Sequence, residues 1–153
     1  MIEKNIGVIS DTHGLFRTKV LEVFNNVDLI IHAGDVGKEE ILDELREIAP
    51  VVAVRGNTDN GYLATRLNYS EIMDIGEKSI YLIHDIDGIE IEPEAAYIDV
   101  VVYGHSHKPD MKKINGVLYL NPGSSGPKRF NLPTTVAIMK IKDDEVSVKF
   151  IEI

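Results

Sequence analysis

The chain has 153 residues, 44% of them hydrophobic, and carries 25 acidic against 16 basic side chains for a formal charge of −9. That length makes a single domain, 1–153, with a core of its own. The acidity argues against nonspecific binding to duplex nucleic acid or an anionic membrane, and the absence of cysteine excludes disulfides, thiolate-held zinc, iron–sulfur clusters and thiol catalysis.

In chain order, residues 1–5 run straight into a strand-like segment without the apolar region and cleavage site of a signal peptide. No apolar run approaches the ~20 residues that span a bilayer, and the expectation is a cytoplasmic protein. Ile6-Gly7-Val8-Ile9 predicts a buried strand that stops in the polar turn Ser10-Asp11-Thr12-His13-Gly14. Val20, Leu21, Val23 and Phe24 predict a helix within 17–26, and 29–32 a second strand ending in His32-Ala33-Gly34-Asp35. Ile41, Leu42, Leu45 and Ile48 form one stripe of a helix over 38–47, which Pro50 closes. A third strand, 51–54, runs into Arg55-Gly56-Asn57-Thr58-Asp59. Strands and helices alternating at this spacing imply parallel βαβ units whose carboxyl edge is the place for ligands.

Residues 60–70 show no periodicity and read as a surface loop. Segments 71–75 and 79–83 predict a hairpin ending in His84-Asp85, and 94–97 a short helix. A strand over 100–103 ends in Gly104-His105-Ser106-His107. Hairpins follow at 112–120, around Asn115-Gly116, and at 136–151, around Asp143-Asp144. The later hairpins point to a second, mixed or antiparallel sheet packed on the first.

Strand after strand thus ends in a polar residue suited to metals: Asp11 and His13, Asp35, Asn57, His84, His105 and His107. Four of the five histidines stand at such ends; the fifth, His32, lies just before Asp35. In Asp11-x-His13 and His105-x-His107 the spacing puts both side chains on one face if the strand continues, or lets a tight turn converge them. Imidazole, carboxylate and amide donors together suit Mn, Fe, Ni, Co or Zn rather than Ca. Seven ligands exceed what one such ion takes, and two ions ~3.5–4 Å apart are the arrangement used for in-line displacement at phosphorus.

Asp11-x-His13, Gly34-Asp35, Gly56-Asn57-x-Asp59, His84 and Gly104-His105-x-His107 together resemble the signature of the calcineurin-like metallophosphoesterases, and most of all their small bacterial and archaeal phosphodiesterase branch. The Asn121-Pro122-Gly123-Ser124 turn resembles that branch too. The resemblance implies an α/β metallophosphoesterase sandwich, two packed mixed β-sheets flanked by α-helices. It also implies a binuclear metal-dependent phosphodiesterase that hydrolyses small phosphate diesters through a hydroxide bridging the metals, with Mn or Ni most suited to activity. Carried over residue by residue, it assigns Asp11, His13 and His107 to one metal, Asn57, His84 and His105 to the other, and Asp35 to both, with Asn57 and His105 also counted as catalytic. His32 has no ligand role in that pattern and reads as steadying the Asp35 turn.

Two departures stand out. Many members carry after the motif Asn a histidine able to protonate a leaving group, a place assigned here to Asp59; and Asp85 replaces the glycine that usually follows the strand-end His. Two dications would outweigh Asp11 and Asp35 and leave the inner site near about +2, attractive to a phosphate. The Gly123-Ser124-Ser125-Gly126-Pro127-Lys128-Arg129 stretch reads as a surface loop. Small members of the family often self-associate, which points by analogy to a homo-dimer or higher homo-oligomer. The alternative function is a non-catalytic metal-binding scaffold resembling the retromer subunit of this fold. A DNA-repair nuclease ranks lower, because the chain is acidic and lacks the added DNA-binding regions of those proteins.

Overall fold

The computed structural model describes residues 3–153; Met1 and Ile2, part of the stretch read as lacking a leader, lie outside them. Its strands are β1 (Glu3–Ile9), β2 (Leu29–His32), β3 (Val51–Ala53), β4 (Ser70–Ile75), β5 (Lys78–Ile83), β6 (Val100–Val102), β7 (Asp110–Ile114), β8 (Val117–Asn121), β9 (Thr135–Lys142) and β10 (Glu145–Glu152). The helices are α1 (Lys19–Val23), α2 (Glu39–Arg46) and α3 (Gly61–Arg66). The strands form two five-stranded sheets, ordered β10-β9-β1-β2-β3 and β4-β5-β6-β8-β7.

Alternation along the strands decides the layers. In β1, Ile6 and Val8 face the second sheet and pack with Ile80, Leu82, Val100, Val102 and Leu120 in the central core. Ile9 and, from β2, Ile30 face the other way, onto Phe24, Leu42 and Leu45 of the helical layer. A Cβ at Gly7 would crowd the Phe24 ring at 3.0 Å, so glycine lets that ring lie flat on the sheet. On the far face of the second sheet, Tyr81, Ile83, Val101 and Tyr103 are covered by the irregular segment carrying Ile86, Ile89 and Ile91. Among the described residues no helix is long and apolar enough to cross a membrane.

The parallel pairings β1·β2, β2·β3, β5·β6 and β6·β8 are what position the site. They point the carboxyl ends of those strands at one edge of the sandwich, where Asp11, Asp35, Asn57, His84 and His105 follow.

Four details differ from expectation. Residues 60–70 contain α3, whose Leu63 and Ala64 are buried and whose Arg66 pairs with Glu39 of α2. A two-turn helix starting at glycine is too short to show a stripe. The last hairpin joins the first sheet, β9 running antiparallel to β1 from Glu3↔Lys142 to Val8↔Ala137. It can do so because Ala137, Met139 and Ile141 face the central core while Val136 and Ile138 face the helical layer. Helix α1 is shorter than the 17–26 span, ending before a turn over Phe24 to Asn26. At 94–97 there is only a helical turn, closed by Tyr97 at φ 59°.

His32 is fully buried at the end of β2 and its hydrogen bonds define its tautomer. Nδ1 accepts the Gly34 N–H at 3.1 Å, so Nε2 carries the proton and donates to Thr12 Oγ1 at 3.0 Å, while the Thr12 hydroxyl donates to the Val36 carbonyl at 2.8 Å. A second ring proton would face the Gly34 N–H, and burial pushes the His32 pKa down to about 4. The unfolded chain takes up a proton below about pH 6.5 that the folded chain refuses until about 4. Stability measured by urea unfolding in chelator should therefore fall across that window by on the order of 3 kcal/mol from this group. His32→Asn should show a shallower fall; an unchanged slope would contradict the neutral assignment.

Candidate metal centre

The strand ends turn by passing through the left-handed region. Asp11 (φ 56°), His13 (46°), Asp35 (54°), His105 (73°) and His107 (64°) all lie there, at a cost of about 1 kcal/mol or more each. Such clustering marks a functional site, and Asp and His tolerate the region better than bulky residues do. The turns are zipped together: Asp11 N–H donates to the Gly34 carbonyl at 2.9 Å and His13 N–H to that of Asp35 at 2.9 Å. Glycine precedes several ligands because their neighbours leave no room. A Cβ on Gly56 would collide with the backbone and carboxylate of Asp35, and one on Gly104 with Ser10 Oγ.

Two groups of donors result. In the first, His107 Nε2 and His13 Nε2 lie 3.3 and 3.7 Å from Asp11 Oδ1 and 3.3 Å from each other. In the second, His84 Nε2 lies 3.2 Å from Asp35 Oδ2, 3.9 Å from Asp11 Oδ1 and 3.0 Å from Asn57 Oδ1, which is in turn 3.2 Å from His105 Nδ1. Asp35 Oδ2 is also 3.7 Å from His13 Nε2 and so faces a donor of each group. Every expected ligand is therefore in the cluster.

The residues fit divalent ions. Bonds of about 2.0–2.2 Å to a common ion set neighbouring donors roughly 3.0–3.5 Å apart, close to the separations above. Asp11 Oδ1 is buried with no hydrogen-bond partner while imidazole nitrogens surround it, and an ionised oxygen so placed needs a cation. Its sister Oδ2 is fixed by the Ser10 hydroxyl at 2.6 Å and the His105 N–H at 3.1 Å. His84 Nδ1 donates to the Ala33 carbonyl at 2.7 Å, which turns Nε2 toward the cluster as the ligand atom.

The electrostatics prepare the same chemistry. Burial alone would raise the pKa of Asp11, but contact with His107, the Ser10 hydroxyl and the charge of His84 bring it below the ordinary carboxylate value. Asp35, also pushed up by burial, is held low by His84 and by the Thr58 N–H, which donates to Oδ1 at 2.9 Å. Burial would lower the His84 pKa, yet contact with Asp35 and the charge of Asp11 raise it above the ordinary imidazole value.

Asp59, expected as a leaving-group acid, is placed otherwise. It is buried, and its carboxylate accepts N–H bonds from Gly37 at 2.9 Å, Gly56 at 2.9 Å and Val36 at 3.3 Å. Those partners are all donors, so both oxygens act as acceptors and tie the Asp35 loop to the Asn57 turn. Its neighbours Asn57 and Thr58 are the exposed side chains of that turn. Asp85 Oδ2 stands 3.8 Å from His105 Nε2, beyond hydrogen-bond reach, with both side chains 46% exposed.

Residue types alone did not single out several supports. Asn121 Nδ2 donates to the Gly104 carbonyl and Ser106 Oγ, each at 3.1 Å, and so shapes the His105–His107 turn. Ser124 Oγ donates to the Asp11 carbonyl at 3.1 Å, and Arg17 holds the carbonyls of Ser125 and Gly126. The first part of the expected surface loop is thus buried beneath Asp11, while Lys128 and Arg129 are exposed beside His13 and His107.

A family model described as the calcineurin-like phosphoesterase superfamily domain matches residues 5–144. The chain belongs to that superfamily. The chain is 40% identical to a probable metallophosphoesterase of Methanocaldococcus jannaschii across 97% of its own length and 81% of the relative's. It is 31% identical to a phosphodiesterase of the same organism, covering 84% of this chain and 89% of that one. Among solved structures, Vps29 of Entamoeba histolytica complexed with zinc is similar at a TM-score of 0.77 and 26% identity, over 97% of this chain and 98% of that one, which carries the two-sheet fold.

Because Asp35 faces both groups whereas His84 belongs to one, Asp35→Asn should weaken binding of both equivalents of Mn2+ in calorimetry, by at least roughly 10- to 100-fold. His84→Ala should weaken chiefly one. Equal loss of both in His84→Ala would contradict the partition.

Proposed function

We propose that this protein hydrolyses small phosphate diesters with two divalent ions, for which Asp35 would serve as a shared ligand. The observation that carries the reading is Asp35 Oδ2, 3.7 Å from His13 Nε2 and 3.2 Å from His84 Nε2, one oxygen set between two groups of donors. Asp11, His13 and His107 would hold the first ion, and Asn57, His84 and His105 the second. Two such ions supply Lewis acidity at phosphorus and lower the pKa of water toward neutrality. The mixture of imidazole, carboxylate and amide suits Mn or Ni, with Fe, Co and Zn as competitors.

The chain's own residues do the rest. Asn57 is neutral and would leave an ion held there more of its charge. Asn57 and His105 are exposed while Asp11 and His84 are buried, so a phosphate arrives from the side of the exposed pair. Lys128 and Arg129 line a cavity of about 230 Å³ with His13 and His107, and add positive charge beside the first group of donors. Asp59 acts as a brace between the Asp35 and Asn57 turns, which leaves the leaving group to be protonated from solvent. A second reading is a metal-binding scaffold without turnover, for which the likeness to Vps29 complexed with zinc supports the metal binding.

Dialysis against chelator should reduce hydrolysis of bis(p-nitrophenyl) phosphate to background, and Mn2+ or Ni2+ should restore it. Turnover undiminished by chelation would overturn the metal-dependent mechanism. Binding of two metal equivalents with no turnover across a panel of mono- and diesters would favour the scaffold.

A further inference from the structure

Beside the centre lies a cavity of about 380 Å³ whose wall includes Asn57 and His84 at one end and Arg55, Tyr69, Asp85 and Glu90 around the remainder. Arg55 stacks on the Tyr69 ring, its guanidinium carbon 3.8 Å from the ring centroid. The Arg55 N–H at Nε is buried with no hydrogen-bond partner, and among the described residues no carboxylate pairs with the guanidinium. Its backbone is anchored independently, the N–H donating to the Asn68 carbonyl at 2.8 Å. Tyr69 itself is 68% exposed, an unusual state for a large ring beside a cavity.

A guanidinium seated over an aromatic ring, its Nε–H unpaired, offers donors beside a π-face to one occupant. The group that answers both is a planar heterocycle with adjacent acceptors on its edge, and guanine O6 and N7 are the pair that arginine donors match best. Asp85 and Glu90 supply acceptors for the amino and ring N–H groups that guanine carries on its other edge. A phosphate at Asn57 and His84 would put an attached nucleoside into the same hollow.

We propose that this cavity binds the nucleoside arm of a phosphodiester, with the base, guanine best, against the Arg55–Tyr69 stack. The proposal rests on the hydrolase reading for its reaction, though binding of the base requires only the cavity.

Two measurements separate the parts. The first is kcat/KM of Mn2+-loaded protein for the p-nitrophenyl ester of guanosine 5′-phosphate relative to ethyl p-nitrophenyl phosphate, which share a leaving group and differ in the other arm. The ratio should favour the nucleoside ester and fall roughly 10-fold in Arg55→Gln and in Tyr69→Leu. The second is a titration of 15N-labelled, chelator-treated protein with guanosine, which carries no phosphate. The Arg55 Nε–H resonance should shift, and ribose alone should leave it in place. A shift without hydrolysis of any diester would uphold the cavity while refuting the hydrolase reading. Hydrolysis with no preference for the nucleoside arm and no shift would overturn the proposal.

Discussion

The arrangement turns on one carboxylate. Asp11 sits just past β1 with its side chain fully buried, one oxygen clamped by the Ser10 hydroxyl and the His105 N–H and the other left among the nitrogens of His13, His84 and His107. An ionised group removed from water without a partner costs several kcal/mol. The structure bears that cost with few neutralising donors, because the imidazoles can serve either as shared-proton partners or, deprotonated, as fellow ligands of a cation. Much of the surrounding strain has the same origin. Left-handed backbone at Asp11, His13, Asp35, His105 and His107 aims short side chains back over the strand ends.

Parallel pairing makes this convergence possible. Neighbouring β1, β2 and β3 in one sheet and β5 and β6 in the other point the same kind of strand end at a shared edge. Carboxylates then come from the first sheet and most of the imidazoles from the second. The centre is therefore a seam between sheets as well as a binding site, and a cation there would bond the two layers together. The His32–Thr12–Val36 chain of hydrogen bonds and the Asp59 brace act from beneath, fixing the Asp35 loop to the turns on either side of it.

What could be read in the sequence follows from how local each feature is. Apolar runs that stop at Asp11, Asp35, Asn57, His84 and His105 report both the strand and the chemistry at its end, so ligands and layers were legible. The partner sheet of β9 and β10 was not, since the continuous apolar run Val136-Ala137-Ile138-Met139 tells that both faces of β9 are covered without telling by what. Helix α3 was too short to show a period. The role of Asp59 was hidden because two of its partners lie 22 and 23 residues away, and a carboxylate looks the same in sequence whether it gives a proton or receives N–H bonds. The stacking of Arg55 on Tyr69 was invisible for the same reason, being made across the end of β3 and the start of β4.

Membership of the calcineurin-like phosphoesterase superfamily and the shared position of Asp35 are the support for the proposed centre of two metals. Its most direct test is anomalous diffraction at the manganese edge from crystals grown with Mn2+. The account predicts two peaks, one ringed by Asp11, His13 and His107, the other by Asn57, His84 and His105, with Asp35 between them. A single peak, or two that do not share Asp35, would contradict it.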